Sequence, residues 1–199
     1  MYRKVNNKIS EVQLKVLSLF TRGFNREYYI REVQKMLKIS PRTAQLALEF
    51  LEKRSILEST IRGKIKTYKI KKNFLAKDYL ILAETYKRII FLEKNLVIKD
   101  ILEKITHSIE GIALIFGSYS KGNQKEDSDL DIFVVGYYNI NKIKEISKLY
   151  GIKINVKNYP LNIFKKKYKE DILIKEGLND HILIKGIEVF IEVVLQWKR

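Results

Sequence analysis

The sequence predicts an α+β protein of two domains, in which a basic domain of helices and a hairpin precedes an α/β domain with a small mixed sheet flanked by helices. Three observations support this prediction. Helical periodicity gives way to β-branched alternation within the first third of the chain, and basic residues concentrate there. Further on, a segment rich in glycine and aspartate separates two strongly apolar runs. Hydrophobic residues make up 46% of the chain, enough to build packed cores.

The charge of the chain is unevenly distributed. The formal net charge is +16, and residues 1–72 contain 18 of the 39 Lys and Arg residues but only 6 of the 23 acidic residues. A generally lysine-rich composition would explain the total but not this asymmetry. The asymmetry therefore favours a polyanion as the partner of the N-terminal part.

Composition also excludes several classes of protein. The chain has no cysteine, which excludes disulfides and thiolate metal sites. No apolar run reaches the length of about 18 residues that would span a bilayer, and the N-terminus lacks the core of a signal peptide. We therefore expect a cytoplasmic protein with no membrane partner.

Three helices are predicted before the hairpin. Ser10 and Gln13 have the spacing of a capping box, and the helical periodicity that follows ends at Gly23. A second helix is predicted over 26–38. The third begins at Pro41, which suits a first helical position because that position needs no N–H donor.

The segment ILESTIRGKIKTYKI, residues 56–70, alternates and is β-branched, with Arg62-Gly63-Lys64 as a tight turn at its centre. Three helices followed by a basic-tipped hairpin resemble the winged helix-turn-helix domain of transcriptional regulators, over about residues 8–72. The resemblance implies that the third helix enters the major groove and that the hairpin, or wing, contacts the DNA backbone. It implies DNA contacts by Arg42, Thr43, Gln45, Arg62, Lys64 and Lys66. The alternative is a winged domain used for dimerisation or protein contact.

Residues 74–95 contain no Gly or Pro and are predicted to form one connecting helix. Its apolar stripe consists of Tyr79, Leu82, Ala83, Tyr86, Ile89 and Ile90. We expect this stripe to be buried against the N-terminal domain or against a second copy in a homodimer. The predicted division is a winged domain over 1–73, this helix over 74–95, and a second domain over 96–199. The end of the second domain is predicted to be helical, and His107 and His181 receive no role.

The segment after the connecting helix contains a sharp break between two strands. Residues 112–116 form a short apolar run typical of a buried strand, and Gly117-Ser118 interrupt it. A glycine permits both a tight turn and a close approach of backbone to ligand. Ser118 offers a hydroxyl and an N–H to phosphate oxygens, and Lys121 adds a cation.

Two carboxylates open the next strand. Asp129 and Asp131 share one face because strand side chains alternate, and their Cα atoms are about 6.6 Å apart. Carboxylates so placed can converge on one hard cation, and oxygen ligands suit Mg²⁺ or Mn²⁺. The plainer interpretation is a hairpin with a solvated acidic loop.

The full pattern, G-S-x-x-x-G followed by S-D-x-D at a second strand, resembles the signature of the polymerase-beta-like nucleotidyltransferase superfamily. The resemblance covers about residues 96–195. It implies transfer of a nucleoside monophosphate from ATP or another NTP to a hydroxyl, with release of pyrophosphate. It implies that Gly117 and Ser118 bind the triphosphate with support from Lys121 and Ser128. It assigns catalysis and Mg²⁺ ligation to Asp129 and Asp131.

One part of the superfamily pattern is missing. Active members carry a third carboxylate on a later strand, and the candidate strand GIKINVKNY, residues 151–159, has Asn155 where an acid would be expected. An amide is a poor base and a weaker metal ligand. Three possibilities follow: the two aspartates suffice, Glu170 or Asp171 substitutes, or the domain binds nucleotide without turnover.

Two classes of function fit these observations. The first is a metal-dependent nucleotidyltransferase coupled to DNA binding, with a partner protein (as in an antitoxin), a tRNA end or a small molecule as acceptor. The second is a transcriptional regulator whose nucleotidyltransferase-like domain is an impaired nucleotide sensor or a dimerisation scaffold. A nucleic-acid-modifying enzyme, with the winged domain delivering the substrate, is a weaker third hypothesis.

Overall fold

A computed structural model describes residues 8–24, 26–167 and 170–195 of the chain. Residues 1–7 and 196–199, at the outer ends of the predicted domains, lie outside the described residues. No helix in the described part is long and apolar enough to cross a membrane.

The first third of the chain folds as three helices and a three-stranded antiparallel sheet, the arrangement of a winged helix-turn-helix. Its elements are α1 (Glu11–Leu19), β1 (Tyr28–Tyr29), α2 (Ile30–Leu37), α3 (Pro41–Lys53), β2 (Leu57–Arg62) and β3 (Ile65–Ile70). The strand order is β1-β3-β2. The capping box at Ser10 and Gln13 is confirmed, as is the start of the third helix at Pro41.

The second helix is shorter than the predicted span of 26–38. Tyr28 and Tyr29 instead form β1, which pairs with β3 and places Tyr28 opposite Tyr68. Tyr28 is fully buried, and its hydroxyl donates to the carbonyl of Leu19 at 3.0 Å. The strand prevails over helical periodicity here because it buries a large ring and satisfies the ring's hydroxyl.

The connecting helix, α4 (Phe74–Lys94), packs within the chain against α1 on one side and against the C-terminal elements on the other. The predicted stripe is wrong in part, since Leu82 and Ile89 are about half exposed at 41% and 47%. The buried face includes Leu80, Ala83 and the charged Glu84. Apolar periodicity found Ala83 but missed Leu80, because the ionised side chains of Lys77 and Glu84 occupy part of this face.

The remaining chain forms a four-stranded mixed sheet with helices on both faces, as predicted. Its elements are α5 (Leu96–Ile105), a 3₁₀ turn (Thr106–Ser108), β4 (Ile109–Phe116), α6 (Gly117–Lys121), β5 (Leu130–Tyr138), α7 (Ile140–Tyr150), β6 (Ile154–Tyr159), α8 (Leu161–Lys167), α9 (Ile172–Asn179), β7 (Ile182–Lys185) and α10 (Ile187–Val194). The strand order is β6-β5-β4-β7, and β6 alone runs parallel to its neighbour.

The C-terminal segment contains a strand that the sequence analysis did not predict. β7 pairs with β4 as an edge strand, while helices alone were expected there. Its four residues are too short a run to show a period of two.

Apolar side chains form two clusters, one on each face of the mixed sheet. One face, with Leu114 and Phe133, shares a continuous core with the winged helix-turn-helix, α4 and α10. The other face, with Ile115 and Ile132, packs against α5 and α7. The sheet is therefore fixed to the winged part of the chain through a common core.

Candidate functional site

The ends of three neighbouring strands meet at one edge of the mixed sheet. β4 ends at Phe116, which pairs with Asp131 near the start of β5. On the other side, Asn155 of β6 pairs with Asp131 in the parallel register. The turn after β4, the paired aspartates and Asn155 are thereby brought together, although 24 residues separate Asp131 from Asn155 in the sequence.

The turn at Gly117 lies directly against Asp131. Gly117 has a φ of 75°, in the left-handed region that favours glycine. A Cβ atom at this position would lie 2.5 Å from Asp131 Oδ2. A side chain here would strain the backbone and displace the Asp131 carboxylate.

The two aspartate side chains converge on one atom. Asn155 Nδ2 donates to Asp129 Oδ2 at 3.0 Å and to Asp131 Oδ1 at 3.1 Å. Asp129 precedes β5 and Asp131 lies within it, so strand alternation turns both side chains to the same face. The pair is not splayed into solvent as separate surface charges.

A lysine balances part of this negative charge. Lys153 Nζ lies 2.7 Å from Asp129 Oδ2, in an ion pair at the mouth of the site. The hydrogen bond from Lys153, followed by that from Asn155, lowers the pKa of Asp129 below its ordinary value. Asp129 is therefore ionised at neutral pH, and the Asn155 amide bridges the two carboxylates.

The residues present fit a divalent cation. Oxygen donors from two carboxylates converge beside a glycine turn, the kind of partial ligand set that Mg²⁺ completes with water and substrate phosphates. Rotation of the Asn155 amide by half a turn would present its oxygen to the same space, as a neutral ligand. Within the described residues no cluster of three or more His, Cys, Asp or Glu side chains could hold a metal, so the site has two acids.

The other predicted nucleotide-binding residues lie at different distances from this pair. Ser118 follows the glycine turn, and its hydroxyl has no hydrogen-bond partner in the part of the chain that the structure describes. The Ser128 hydroxyl accepts from the Lys125 backbone N–H at 2.7 Å and closes the loop before β5. Lys121 lies at the far end of α6, where Nζ is 3.6 Å from Glu176 Oε1.

Neither candidate for a substitute third acid lies beside the aspartates. Asp171 accepts from the backbone N–H of Ile174 at 3.1 Å and from the hydroxyl of Tyr159 at 3.2 Å. Tyr159 ends β6, four residues beyond the Asn155 register position. Glu170 is exposed in the turn before α9. Asn155 itself occupies the third position.

The predicted DNA-contacting residues of α3 lie on its outer face. Arg42 is exposed, and its Nη1 donates to Gln45 Oε1 at 3.3 Å. The Thr43 hydroxyl lies 2.8 Å from that of Ser40, within the helix cap. Leu46, which the sequence analysis did not single out, is half exposed on the same helix at 49%.

Two of the three predicted wing cations have partners within the chain. Arg62 Nη2 lies 3.3 Å from Glu27 Oε1, and Lys66 Nζ lies 2.7 Å from Glu52 Oε2 on α3. Lys64 is exposed at the turn beside Gly63 and makes no ion pair with a described residue. Of the three wing cations, Lys64 is therefore the one most accessible to an external ligand.

A buried charged cluster lies between α4 and the mixed sheet. Lys87 Nζ donates to Glu84 Oε1 at 2.9 Å and to Thr21 Oγ1 at 3.1 Å. His181 Nε2 lies 3.1 Å from the same Glu84 oxygen, and Nδ1 lies 3.1 Å from the Leu178 carbonyl. Sequence reasoning missed this cluster because Thr21 and His181 are far along the chain from Glu84 and Lys87, and the four residues have no motif spacing.

The pKa values in this cluster are shifted by burial and charge. Burial alone would raise the pKa of Glu84, but the charges of Lys87 and His181 outweigh it and hold that pKa at about 2. Burial, followed by the nearby Lys87, lowers the pKa of His181 below its ordinary value. Burial likewise lowers the pKa of the Lys87 ammonium, against the raising effect of Glu84. Glu84, Lys87 and His181 therefore form one buried group whose protonation states depend on one another.

Comparison with known proteins agrees with this geometry. Residues 97–180 match the family described as nucleotidyltransferase domain. A relative from Methanocaldococcus jannaschii, named as a candidate protein adenylyltransferase, is 40% identical over 91 residues, which are 39% of this chain and 92% of the relative.

A solved structure was also compared with the chain. The adhesin competence repressor of Streptococcus pyogenes aligns with 47% of this chain and 69% of its own, at 19% identity and a TM-score of 0.38. The match to the relative is decisive: the chain belongs to the nucleotidyltransferase domain family.

Proposed function

We propose that this chain transfers a nucleoside monophosphate from an NTP, with ATP as the favoured donor, to a hydroxyl of a partner protein. One observation carries the proposal: the carboxylates of Asp129 and Asp131 converge on a single atom directly beside the Gly117 turn. The acceptor class is taken from the relative named as an adenylyltransferase of proteins. A tRNA end and a small molecule are the other acceptors.

The site residues have separate roles in the proposed reaction. Asp129 and Asp131 would hold a divalent cation, which supplies charge neutralisation for the phosphates when bound. Ser118 would donate its hydroxyl, which has no partner among the described residues, to a phosphate oxygen. The Gly117 turn would let the triphosphate approach the backbone. Lys153 adds a positive charge at the mouth of the site.

The bond changes define the reaction. The acceptor oxygen forms a bond to the α-phosphorus, the bond from that phosphorus to the β-phosphate oxygen breaks, and pyrophosphate leaves with the electron pair. The hydroxyl proton must pass to water or to a base of the acceptor, because the Asn155 amide cannot take it. We therefore expect slow turnover compared with an enzyme that has a carboxylate at this position.

Transfer of label from ATP tests the proposal. Purified protein is incubated with Mg²⁺, a cell lysate and ATP labelled on either the α- or the γ-phosphate, and proteins are then separated. The proposal expects a labelled band with α-label only, because the γ-phosphate leaves in pyrophosphate. The Asp129→Asn/Asp131→Asn variant should lose the band, while Asp127→Asn, in the loop before the site, should keep it.

Two results would contradict this function. Labelling from the γ-phosphate would indicate phosphoryl transfer, and labelling that survives loss of both aspartates would place the chemistry elsewhere. Absence of any label, together with Mg²⁺-dependent nucleotide binding that requires both aspartates, would favour a nucleotide sensor.

We further propose that the winged helix-turn-helix binds DNA. The supporting observation is the outer surface of α3 and the wing, where Arg42 and Lys64 are exposed and make no ion pair with a described carboxylate. Under the sensor alternative the same surface would make this chain a nucleotide-responsive regulator. The predicted homodimer stays a proposal, because α4 is already packed within one chain.

A further inference from the structure

A cavity of about 550 Å³ lies where α1 and α4 meet α6. We name it the α1–α4–α6 cavity. α1 comes from the winged part, α6 follows the glycine turn, and Asp180 to Ile182 complete the wall. Among the described residues, neither Ser118 nor the two aspartates line it. Its volume falls in the range typical of small-molecule sites.

The charge around this cavity favours an anionic ligand. Five Lys and Arg side chains line it against one acid, Asp180. Three of the five pair with carboxylates outside the lining: Lys87 with Glu84, Lys15 with Glu11 and Lys121 with Glu176. Lys94 makes no ion pair with any residue in the described ranges, and Arg22 lies 3.5 Å from Asp180. Exposed pairs such as the latter are weak, so the cation can turn to a phosphate instead.

The cavity also contains flat apolar surfaces. Tyr86, Phe91 and Tyr119 are among its lining residues; Phe91 and Tyr119 are 7% and 8% exposed, so the half-buried Tyr86 has the most accessible ring of the three. Rings of this kind stack on nucleobases, while the cations bind phosphate. A ligand with a planar aromatic group attached to phosphate satisfies both halves of the lining.

We propose that the α1–α4–α6 cavity is a second nucleotide site, which takes a nucleoside phosphate without a divalent cation. It is distinct from the aspartate pair and does not depend on catalysis there. The Lys and Arg side chains of the cavity would neutralise the phosphate charge directly. At Asp129 and Asp131 a bound metal ion would have to do so.

The position of the site connects the two halves of the chain. Ser120 Oγ lies 3.0 Å from the Gly117 carbonyl and 2.9 Å from the Asp180 carbonyl, so α6 is fixed to the cavity wall. A ligand in the cavity would contact α1 on one side and the helix that begins at Gly117 on the other. It is therefore placed to couple nucleotide binding to the winged part.

Binding of radiolabelled α,β-methylene ATP by equilibrium dialysis tests the proposal, because this probe cannot release pyrophosphate. In EDTA the wild type should bind one molecule per chain, and Asp129→Asn/Asp131→Asn should bind it equally well. Lys94→Glu and Arg22→Gln should each weaken this binding at least about tenfold. Lys148→Glu, the same charge change on the exposed surface of α7, should leave it unchanged.

The outcomes separate this site from the proposed catalytic one. Failure of binding in EDTA, or its loss with the aspartates, would overturn the second site and leave the transferase proposal intact. Equal affinities of Lys94→Glu and Lys148→Glu would also overturn it, with thermal unfolding showing that both variants are folded. Displacement of the probe by pyrophosphate as readily as by ATP would overturn the assignment to nucleotides.

Discussion

Under the proposed function, Asn155 determines how strongly the aspartate pair can attract a cation. Its amide donates to both carboxylates and contributes no charge, while Lys153 cancels one of the two negative charges. A carboxylate in the same register position would add a third negative charge to the site and attract a cation more strongly. Asn155, the residue that departs from the family pattern, therefore sets the cation affinity of the proposed site.

Asn155→Asp is expected to bind Mg²⁺ at least about tenfold more tightly than the wild type, because an anionic oxygen replaces a neutral amide. Without metal the variant should be less stable, because three carboxylates then lie close together and Asp129 loses a donor. Calorimetric titration with Mg²⁺ measures the first effect, and urea unfolding with and without Mg²⁺ measures the second.

The control adds the same charge away from the site. Asn162→Asp changes an exposed residue of α8 and should leave the Mg²⁺ affinity of the chain unchanged. If Asn155→Asp binds Mg²⁺ no better than this control, Asn155 is not part of the cation site.

His181 is expected to make stability depend on pH. Its pKa in the folded chain is lowered from 6.5, mainly by burial, so the unfolded chain takes up a proton first as the pH falls. This contribution to the free energy of unfolding is complete above pH 6.5 and is lost as the pH falls through the folded pKa. Glu84, with a folded pKa of about 2 against 4.5, adds a second loss below about pH 4.5.

Urea unfolding followed by circular dichroism between about pH 7.5 and 5.5 measures the His181 effect. His181→Asn should be less stable than the wild type by roughly 1–3 kcal/mol at the higher pH, because Glu84 loses a partner. That gap should narrow at the lower pH. His107→Asn, on the exposed 3₁₀ turn, should follow the wild-type curve, and a constant gap for His181→Asn would contradict the prediction.

Individual residues differ in how far the sequence could predict them. Gly117, Asp129 and Asp131 were predictable because a turn and strand alternation place them by local rules. The contact of Asn155 with both aspartates required the pairing of β6 with β5, which no local pattern specifies. Glu84, Lys87 and His181 were not predictable as a cluster, since ionised residues normally indicate a solvated face.

Among the elements, α4 shows the limit of periodicity most clearly. The pattern predicted the helix and its ends within one residue, but it selected Leu82 and Ile89 as buried, and these are half exposed. The helix contacts α1 and α10 at once, so its buried surface covers more than one stripe. A single hydrophobic face is a valid expectation only for a helix with one neighbour.

α3 and the wing lead to a prediction about DNA binding. Lys64→Ala should weaken binding to a duplex of mixed sequence and lower the slope of log affinity against log salt by about 0.9, the contribution of one phosphate contact. Lys66→Ala should have a smaller effect, because Lys66 is already held by Glu52 at 2.7 Å. Fluorescence anisotropy at several salt concentrations measures both.

Lys148→Ala provides the matched control, since it removes one exposed lysine from α7, far along the chain from the wing. Equal losses for Lys64→Ala and Lys148→Ala would show that binding follows net charge alone. Binding that is independent of salt would contradict phosphate contacts altogether.

At the scale of the whole molecule, the shared core joins the winged part to the sheet. Leu80 of α4, Phe190 of α10 and Leu114 of β4 belong to one apolar cluster. Lys77 Nζ also lies 2.7 Å from Glu192 Oε1 and 3.0 Å from Glu188 Oε1 on α10. The domain division at residues 73 and 95 stays a proposal, and this core favours assigning α4 to both sides of it.

Fragments of the chain test that division. A fragment of residues 96–199 lacks α4 and should expose the surfaces of β7 and α10 that α4 covers. It should therefore unfold at lower urea concentration than a fragment of residues 74–199, because more apolar area stays in contact with water. Equal unfolding midpoints would show that α4 contributes nothing to the C-terminal fold.

The contacts of Lys153 and Asn155 mean that the fold does not need an ion to keep the aspartates together. The Lys153 ammonium and the Asn155 amide supply positive charge and hydrogen bonds to the carboxylates. A cation must displace these contacts before it can bind. Occupancy should then follow the supply of nucleotide complexed with metal, instead of the free metal concentration. Under the proposed function, a chain without substrate would stay fully folded until a nucleotide complexed with metal brings the missing positive charge.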